Sequence, residues 1–253
     1  SDKYNPLNIH LREKSDRVTA KELQEIQKLI NRQIYDVAFD RLEEAQGLAP
    51  EYFEVARFKA YLFQKVGNIS DARAQYELAI ILAPNKPQLH YWFGKFLLDF
   101  EDDVDDAVEQ FEIAYQIEPH VHKVAVMLAR AYLIQHEYAK SQTIIETLKD
   151  TISQADDFSK KFYYDISVQV RYRFADDFSK KGKYSESLNL LEDMIKIFNE
   201  IPVKYQDRYI RRKLEKCTYV TDRLSKEMKG TDVDRLNKVI RWVNQVTSNH
   251  RVS

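Results

Sequence analysis

Small and large apolar residues recur along this chain at a spacing of about 34 residues. Small side chains repeat at two positions of each unit, namely Ala38, Ala72 and Ala107, and then Ala45, Ala79 and Ala114. A larger residue recurs between them as Leu42, Tyr76, Phe111 and Ile145, and the units close on Pro50, Pro84 and Pro119. Upstream, a further small residue recurs as Ala60, Gly94 and Ala129. A repeat of this length predicts a solenoid built from similar structural units.

The sizes of the recurring residues predict two antiparallel helices in each unit. Small residues let two helices approach closely, and larger residues fill the space beside the contact. Proline cannot continue a helix, so it marks where one unit ends and the next begins. The chain has only 5 Gly and 6 Pro, which favours long helices joined by short corners. Four units are predicted, at roughly 19–52, 53–86, 87–121 and 122–155.

The period weakens after the third unit. In the fourth, Ser141 and Leu148 stand where alanine is expected, and the closing proline is missing. A fifth unit is recognisable around Ala175 and Ser187, but it begins about three helical turns late, which predicts a helical extension near 149–167. Residues 203–227 and 231–247 are expected to form further helices that cap the array.

These recurring positions resemble the tetratricopeptide repeat (TPR) family over about residues 19–200. The resemblance implies an all-α fold, a right-handed superhelical solenoid of antiparallel helix pairs with C-terminal capping helices. We expect a lead-in or linker at 1–18, about five repeats at 19–202, capping helices at 203–247 and a tail at 248–253.

In such a solenoid the concave face, formed by the first helix of each unit, is the usual binding surface. The candidate groove residues are Arg57, Tyr61, Tyr91, Lys95, Lys123, Arg130 and Tyr172. Cations alternate with tyrosines, which suits a protein or peptide segment that carries acidic and aromatic groups. Several family members hold a C-terminal carboxylate with a Lys-Asn-Asn-Lys-Arg clamp, but Tyr61 stands in place of its first Asn. That departure argues against the clamp, and self-association is left open.

No residue pattern predicts a metal, a cofactor or catalysis. Six carboxylates lie between Asp99 and Asp106, but a calcium loop would need a central Gly and a Glu at its end, so we expect a solvated corner. His120 and His122 point to different sides of a helix. Cys217 is the only cysteine, and its basic neighbours could lower the pKa of its thiol, but no base accompanies it. We therefore expect a protein that is not an enzyme.

The charge distribution raises a separate hypothesis. The formal net charge is −1, yet residues 203–253 hold 13 Lys and Arg against 6 Asp and Glu. This basic end favours nucleic-acid binding by the C-terminal helices, whereas its acidic residues and the pI of 6.6 argue against it.

Two further hypotheses concern the whole protein. The first is an interaction scaffold whose groove binds a partner segment. The second is a sensor or regulatory region of a larger signalling protein, such as a nucleotide-dependent switch or defence ATPase, because the chain begins at Ser1 without a methionine. One cysteine, no signal peptide and no apolar run of ~20 residues favour a cytoplasmic protein without membrane contact.

Overall fold

The computed structural model describes Tyr4 and residues 20–248, with the side chains of Ala20 and Tyr209 excepted. Of the residues that the structure describes, 82% are helical and none lies in a strand, so the all-α prediction is confirmed. The helices are α1 Ala20–Asn31, α2 Tyr35–Leu48, α3 Phe53–Val66, α4 Ile69–Leu82, α5 Pro87–Phe96, α6 Val104–Ile117, α7 His122–Ile134, α8 Tyr138–Leu148, α9 Asp157–Lys180, α10 Tyr184–Glu200, α11 Arg208–Leu214, α12 Cys217–Glu227 and α13 Asp232–Ser248.

The chain divides into two compact units, unit 1 at residues 1–124 and unit 2 at residues 125–253. The domain boundaries expected from the sequence stay a prediction, and most of the lead-in and tail lies outside the described residues. None of the described helices combines the length and the apolar character that crossing a membrane requires.

Unit 1 is built from the pairs α1 and α2, α3 and α4, and α5 and α6. The recurring alanines of these pairs are buried at the helix contacts, where the sequence period placed small residues. Gly94 shows how close the contact is, because a Cβ there would lie 3.1 Å from the Phe111 ring and 3.2 Å from the Ala107 carbonyl oxygen. The repeat frame therefore marks where helices meet.

A left-handed residue forms the corner between the two helices of every repeat. These residues are Gln33 (φ 61°), Gly67 (φ 81°), Asp102 (φ 54°), His136 (φ 67°) and Gly182 (φ 74°). A positive φ reverses the chain after the first helix and suits glycine best, yet only two of the five corners use glycine. The backbone of the corner is thus retained although its residue varies.

The acidic corner of the third repeat is more structured than the sequence suggested. A π-helical turn at Leu97–Glu101 absorbs the residue by which this repeat exceeds its neighbours. Asp103 then caps α6 by accepting a hydrogen bond from the Asp106 backbone amide at 3.2 Å. Arg73 of the preceding repeat binds Glu101 and, at 2.8 Å, Asp106. The corner is solvated at Asp102 and Asp105, as expected, and Glu101 and Asp106 in addition join two repeats through Arg73.

Unit 2 departs from the repeat in its longest helix. Helix α9 has 24 residues, whereas α3, α4 and α6 have 14 each. A 3-10 turn at Ile152–Gln154 precedes it. The C-terminal part of α9 pairs with α10 as a repeat, and its N-terminal part packs against α8 and the cap.

Two serines replace the alanine at the helix contact in unit 2. The Ser141 hydroxyl donates to the Ala129 carbonyl oxygen at 2.8 Å, and the Ser187 hydroxyl donates to the Ala175 carbonyl oxygen at 2.7 Å. Both serines are fully buried. A small hydroxyl fits the alanine position because a carbonyl of the facing helix satisfies it.

The basic C-terminal helices dock on acidic residues of α9 and α10. The pairs are Lys204–Asp157 (3.0 Å), Lys213–Asp165 (2.7 Å), Arg223–Asp176 (3.1 Å) and Arg235–Glu192 (2.6 Å). Apolar residues such as Leu214, Val220 and Leu224 are buried beside them. The charge asymmetry of the sequence thus corresponds to complementary surfaces within unit 2, which weakens the case for nucleic acid.

Candidate functional site

The structure places Arg57 inside unit 1. Its side chain is 1% exposed, and its Nε donates to a carboxylate oxygen of Glu54 at 2.5 Å. The guanidinium lies 4.6 Å from the Phe58 ring centroid and 4.8 Å from that of Trp92. Arg57 was expected on the groove surface, whereas the structure buries it against the Trp92 ring.

Tyr4 occupies the groove of unit 1 and is itself buried. Its ring packs edge-on against Tyr91, with centroids 4.9 Å apart. The indole Nε1 of Trp92 donates to the Tyr4 backbone carbonyl at 3.0 Å, and the Tyr4 hydroxyl donates to Glu118 at 2.6 Å. We call Tyr91, Trp92 and Glu118 the aromatic socket. The socket contacts both the side chain and the backbone of Tyr4.

An open cavity of about 240 Å³ continues from Tyr4 along the groove. Its lining includes Tyr61, Gln64, Lys65, Tyr76 and Lys95. Lys95 is partly exposed and pairs with Asp99, whereas the Lys65 ammonium lies 5.2 Å from the Tyr61 ring centroid. The structure thus gathers the predicted residues Tyr61, Tyr91 and Lys95 around one cavity. Sequence reasoning missed Trp92, because it lies one residue from a predicted position and looks like core.

The remaining predicted residues lie elsewhere. Lys123 is half-buried near the start of α7. In unit 2, Arg130 is half-buried, with its guanidinium 5.2 Å from the Phe162 ring centroid. Tyr172 lines a small cavity of about 40 Å³ with Arg173 and Lys216. Whether these three residues contribute to partner binding stays a prediction.

A larger cavity of about 720 Å³ opens in unit 2 between α7, α9 and α11. The cations that line it are Arg130, Lys161, Arg173, Lys213 and Lys216. Leu133, Ile134 and Phe162 form its apolar wall, and Asp165 is the carboxylate of its lining. We call this space the basic cavity.

Two carboxylates compensate part of the charge in the basic cavity. Asp165 accepts hydrogen bonds from the Lys213 ammonium at 2.7 and 2.9 Å. Burial raises the pKa of Asp165, and the nearby Lys213 charge opposes that rise. Lys161 pairs with Asp207 at 2.8 Å. Among the described residues, Arg173 forms no salt bridge, and its Nε is buried without a hydrogen-bond partner.

The basic cavity could have been found from one spacing in the sequence. Lys161, Asp165, Gln169 and Arg173 follow one another at steps of four, which places them on one face of α9. The extension of α9 carries the first two of them, and the cap contributes Lys213 and Lys216. Both elements are departures from the repeat, so the repeat pattern itself gave no reason to group these residues.

Cys217 is fully buried, and burial raises the pKa of its thiol to about 12. The suggestion that basic neighbours could lower this pKa was wrong, because desolvation of the thiolate dominates. No cluster of three or more His, Cys, Asp or Glu within this part of the chain could hold a metal.

Three solved structures resemble the chain over most of its length. PilW, a type IV pilus biogenesis factor, is 12% identical with a TM-score of 0.52 and covers 94% of this chain and 96% of its own. The pilF protein of Pseudomonas aeruginosa is 16% identical with a TM-score of 0.51, covering 90% and 91%. A tetratricopeptide repeat protein from Parabacteroides merdae is 10% identical with a TM-score of 0.52, covering 91% and 89%.

No family model matches the sequence. No curated protein matches it either. The likeness to the solved structures is therefore one of fold alone.

Proposed function

Because the chain has the tetratricopeptide repeat fold, we propose that it is a non-enzymatic interaction scaffold whose groove in unit 1 captures an extended segment of a partner protein. The observation that carries the proposal is the seating of Tyr4 in the aromatic socket. Tyr91, Tyr61 and Lys95 are its proposed binding residues, and Trp92 is added to them. Such a groove would serve equally in a free scaffold or in the regulatory region of a larger protein.

The contacts of Tyr4 indicate what kind of segment the groove takes. The Trp92 indole binds a backbone carbonyl, a contact that any extended segment can make. The ring of Tyr91 and the carboxylate of Glu118 favour a tyrosine side chain. Lys65 and Lys95 beside the adjoining cavity favour an acidic residue next to that tyrosine. The proposed ligand is an extended segment with a tyrosine and a neighbouring acidic residue.

A peptide titration tests this proposal with Trp92 as the probe. The full chain with Tyr4→Ala vacates the socket, and Trp242→Phe leaves Trp92 as the sole tryptophan, since the chain has 2. The peptide copies residues 1–7 with Glu for Lys3, reading Ser-Asp-Glu-Tyr-Asn-Pro-Leu. We expect saturable quenching or a shift of Trp92 emission, and binding about tenfold weaker or more when alanine replaces the peptide tyrosine.

Two comparisons complete the titration. With Tyr4 present, the peptide should bind more weakly, because the intramolecular tyrosine competes at high effective concentration. Lys95→Glu should weaken binding of the acidic peptide, whereas Lys28→Glu, an exposed α1 lysine paired with Glu25, should leave it unchanged. If the Tyr4→Ala chain shows no saturable binding, the proposal fails.

A further inference from the structure

We propose that the basic cavity of unit 2 binds a small organic acid, whose carboxylate is held by Arg173 and Lys216 and whose apolar body packs on the apolar wall. The site lies within unit 2 and does not depend on the function proposed for the groove of unit 1. The inference rests on an arginine that lacks an anion, on the lysine beside it, and on the size and lining of the cavity.

Arg173 is a partly desolvated cation without an anionic partner. Its Nε is buried and has no hydrogen-bond partner, and no described carboxylate forms a salt bridge with its guanidinium. The guanidinium lies 5.7 Å from the Tyr172 ring centroid. A cation that has lost water without gaining an anion is costly, and the fork of an arginine matches the two oxygens of a carboxylate. A carboxylate in the cavity that Arg173 lines would supply this partner.

Lys216 is the second cation that can hold an anion here. It is exposed, it directly precedes α12, and its ammonium has no salt-bridge partner among the described residues. Lys216 and Arg173 together line both the basic cavity and the small cavity of about 40 Å³. Their two charges therefore adjoin the same space, and one carboxylate can be attracted by both.

The other cations of the basic cavity already have interactions of their own. The two remaining lysines of the lining form salt bridges with Asp165 and Asp207. The Arg130 guanidinium lies 5.2 Å from the Phe162 ring centroid. The charge open to a ligand is therefore modest, and the carboxylate of Asp165 lies in the same lining. Both facts favour a ligand with one carboxylate over a polyphosphate, whose several charges would repel Asp165.

The size and lining of the cavity favour a small molecule with an apolar body. A volume of about 720 Å³ lies within the range of small-molecule sites, about 300–1,000 Å³. Leu133, Ile134 and Phe162 form an apolar wall in the same cavity as the cations. Ile134 is 41% exposed, so an apolar body placed against it would remove apolar surface from water.

Calorimetric titration of the full chain with naphthoate tests the charge and the apolar body separately. Naphthamide has the same shape without the charge, and acetate has the charge without the apolar body. We expect a one-to-one complex with naphthoate, and binding at least about tenfold weaker for naphthamide and for acetate. Equal binding of naphthamide would overturn the role of the cations, and tighter binding of naphthyl phosphate would overturn the choice of a carboxylate.

Matched variants locate the binding. Arg173→Met removes the guanidinium and should weaken naphthoate binding by about tenfold or more. Lys216→Met should weaken it by about threefold to fivefold, because an exposed charge is screened by solvent. Lys226→Met makes the same change of net charge at an exposed position of α12 outside the lining, so it should leave the affinity within about twofold.

Two checks keep the result clear. Circular dichroism establishes that Arg173→Met is folded, and Arg173→Lys, which keeps the charge but loses the fork, should bind naphthoate with an affinity between those of wild type and Arg173→Met. If Arg173→Met and Lys216→Met change the affinity no more than Lys226→Met, naphthoate binds elsewhere and the site is refuted. A wild-type chain that shows no saturable binding of naphthoate refutes it as well.

Discussion

Unit 1 lines its groove with its own aromatic side chains and leaves a cavity of about 240 Å³ there, whereas unit 2 leaves a cavity of about 720 Å³ lined by cations. In unit 1 the positive charge of Arg57 is buried and matched by Glu54. In unit 2 five cations and one carboxylate line the cavity. The two units share the helix-pair repeat, so their difference comes from what each adds to it.

The difference between the units depends on how closely each keeps the repeat period. Unit 1 keeps the period, and small residues such as Ala72 and Gly94 bring its helices into close contact. Its groove is therefore formed by large side chains on first helices, chiefly Tyr91 and Trp92. Unit 2 breaks the period through the extension of α9 and the cap, and these elements leave space between helices. The regular repeats thus leave a groove lined by aromatic rings, and the irregular elements leave a larger cavity lined by cations.

The largest effect that we predict concerns the buried charge of unit 1. Arg57→Met should lower the free energy of unfolding by about 3–5 kcal/mol, because it leaves Glu54 buried without its cation. Lys216→Met, at an exposed cation of unit 2, should change stability by less than about 0.5 kcal/mol. Urea denaturation followed by circular dichroism measures both variants.

This pair of variants compares a buried cation that forms an ion pair with an exposed cation that lines a cavity. If Arg57→Met and Lys216→Met cost the same small amount, the Arg57 side chain is not held as the structure has it, and the contrast between a buried, paired cation and an exposed one fails. Glu54 and Arg57 contact each other directly, so their variants should not be additive. The double variant Glu54→Gln with Arg57→Met should recover part of the lost stability, because it also removes the carboxylate left without its cation.

Helix pairs and their contacts could be predicted from the sequence, because packing constrains residue size at fixed intervals. The left-handed corners were harder to predict, since Gln33, Asp102 and His136 adopt a conformation that favours glycine. Arg57 could not be placed, because its burial depends on Trp92 in the next repeat. Tyr4 could not be placed either, since its contacts with Tyr91 and Glu118 span most of unit 1.

The next prediction tests how tightly the regular unit is packed. Gly94→Ala should destabilise unit 1, because overpacking against Phe111 costs about 1–3 kcal/mol and exceeds the gain in helix propensity of about 1 kcal/mol. Gly47→Ala is the matched control, since its Cβ would meet no atom within 4 Å. It should stabilise the chain by about 0.5–1 kcal/mol. Trp92 fluorescence in the Trp242→Phe background follows thermal unfolding of both variants. A shift of the melting temperature in the same direction for both would contradict the close contact at Gly94.

The smallest effect concerns the serines that distinguish unit 2 from unit 1. Ser187→Ala should cost about 0.5–1.5 kcal/mol, because its buried hydroxyl hydrogen bond to Ala175 is lost while the small size is kept. The reverse change, Ala72→Ser, places a hydroxyl at the equivalent contact of unit 1, facing Ala60 twelve residues earlier as Ser187 faces Ala175. It should be nearly neutral, since the Ala60 carbonyl can accept the new hydrogen bond as the Ala175 carbonyl does. Urea unfolding followed by circular dichroism compares the two variants. A loss above about 2 kcal/mol for Ala72→Ser would mean that the helices of unit 1 are too close for the hydroxyl. Alanine in unit 1 and serine in unit 2 would then mark two different distances between paired helices.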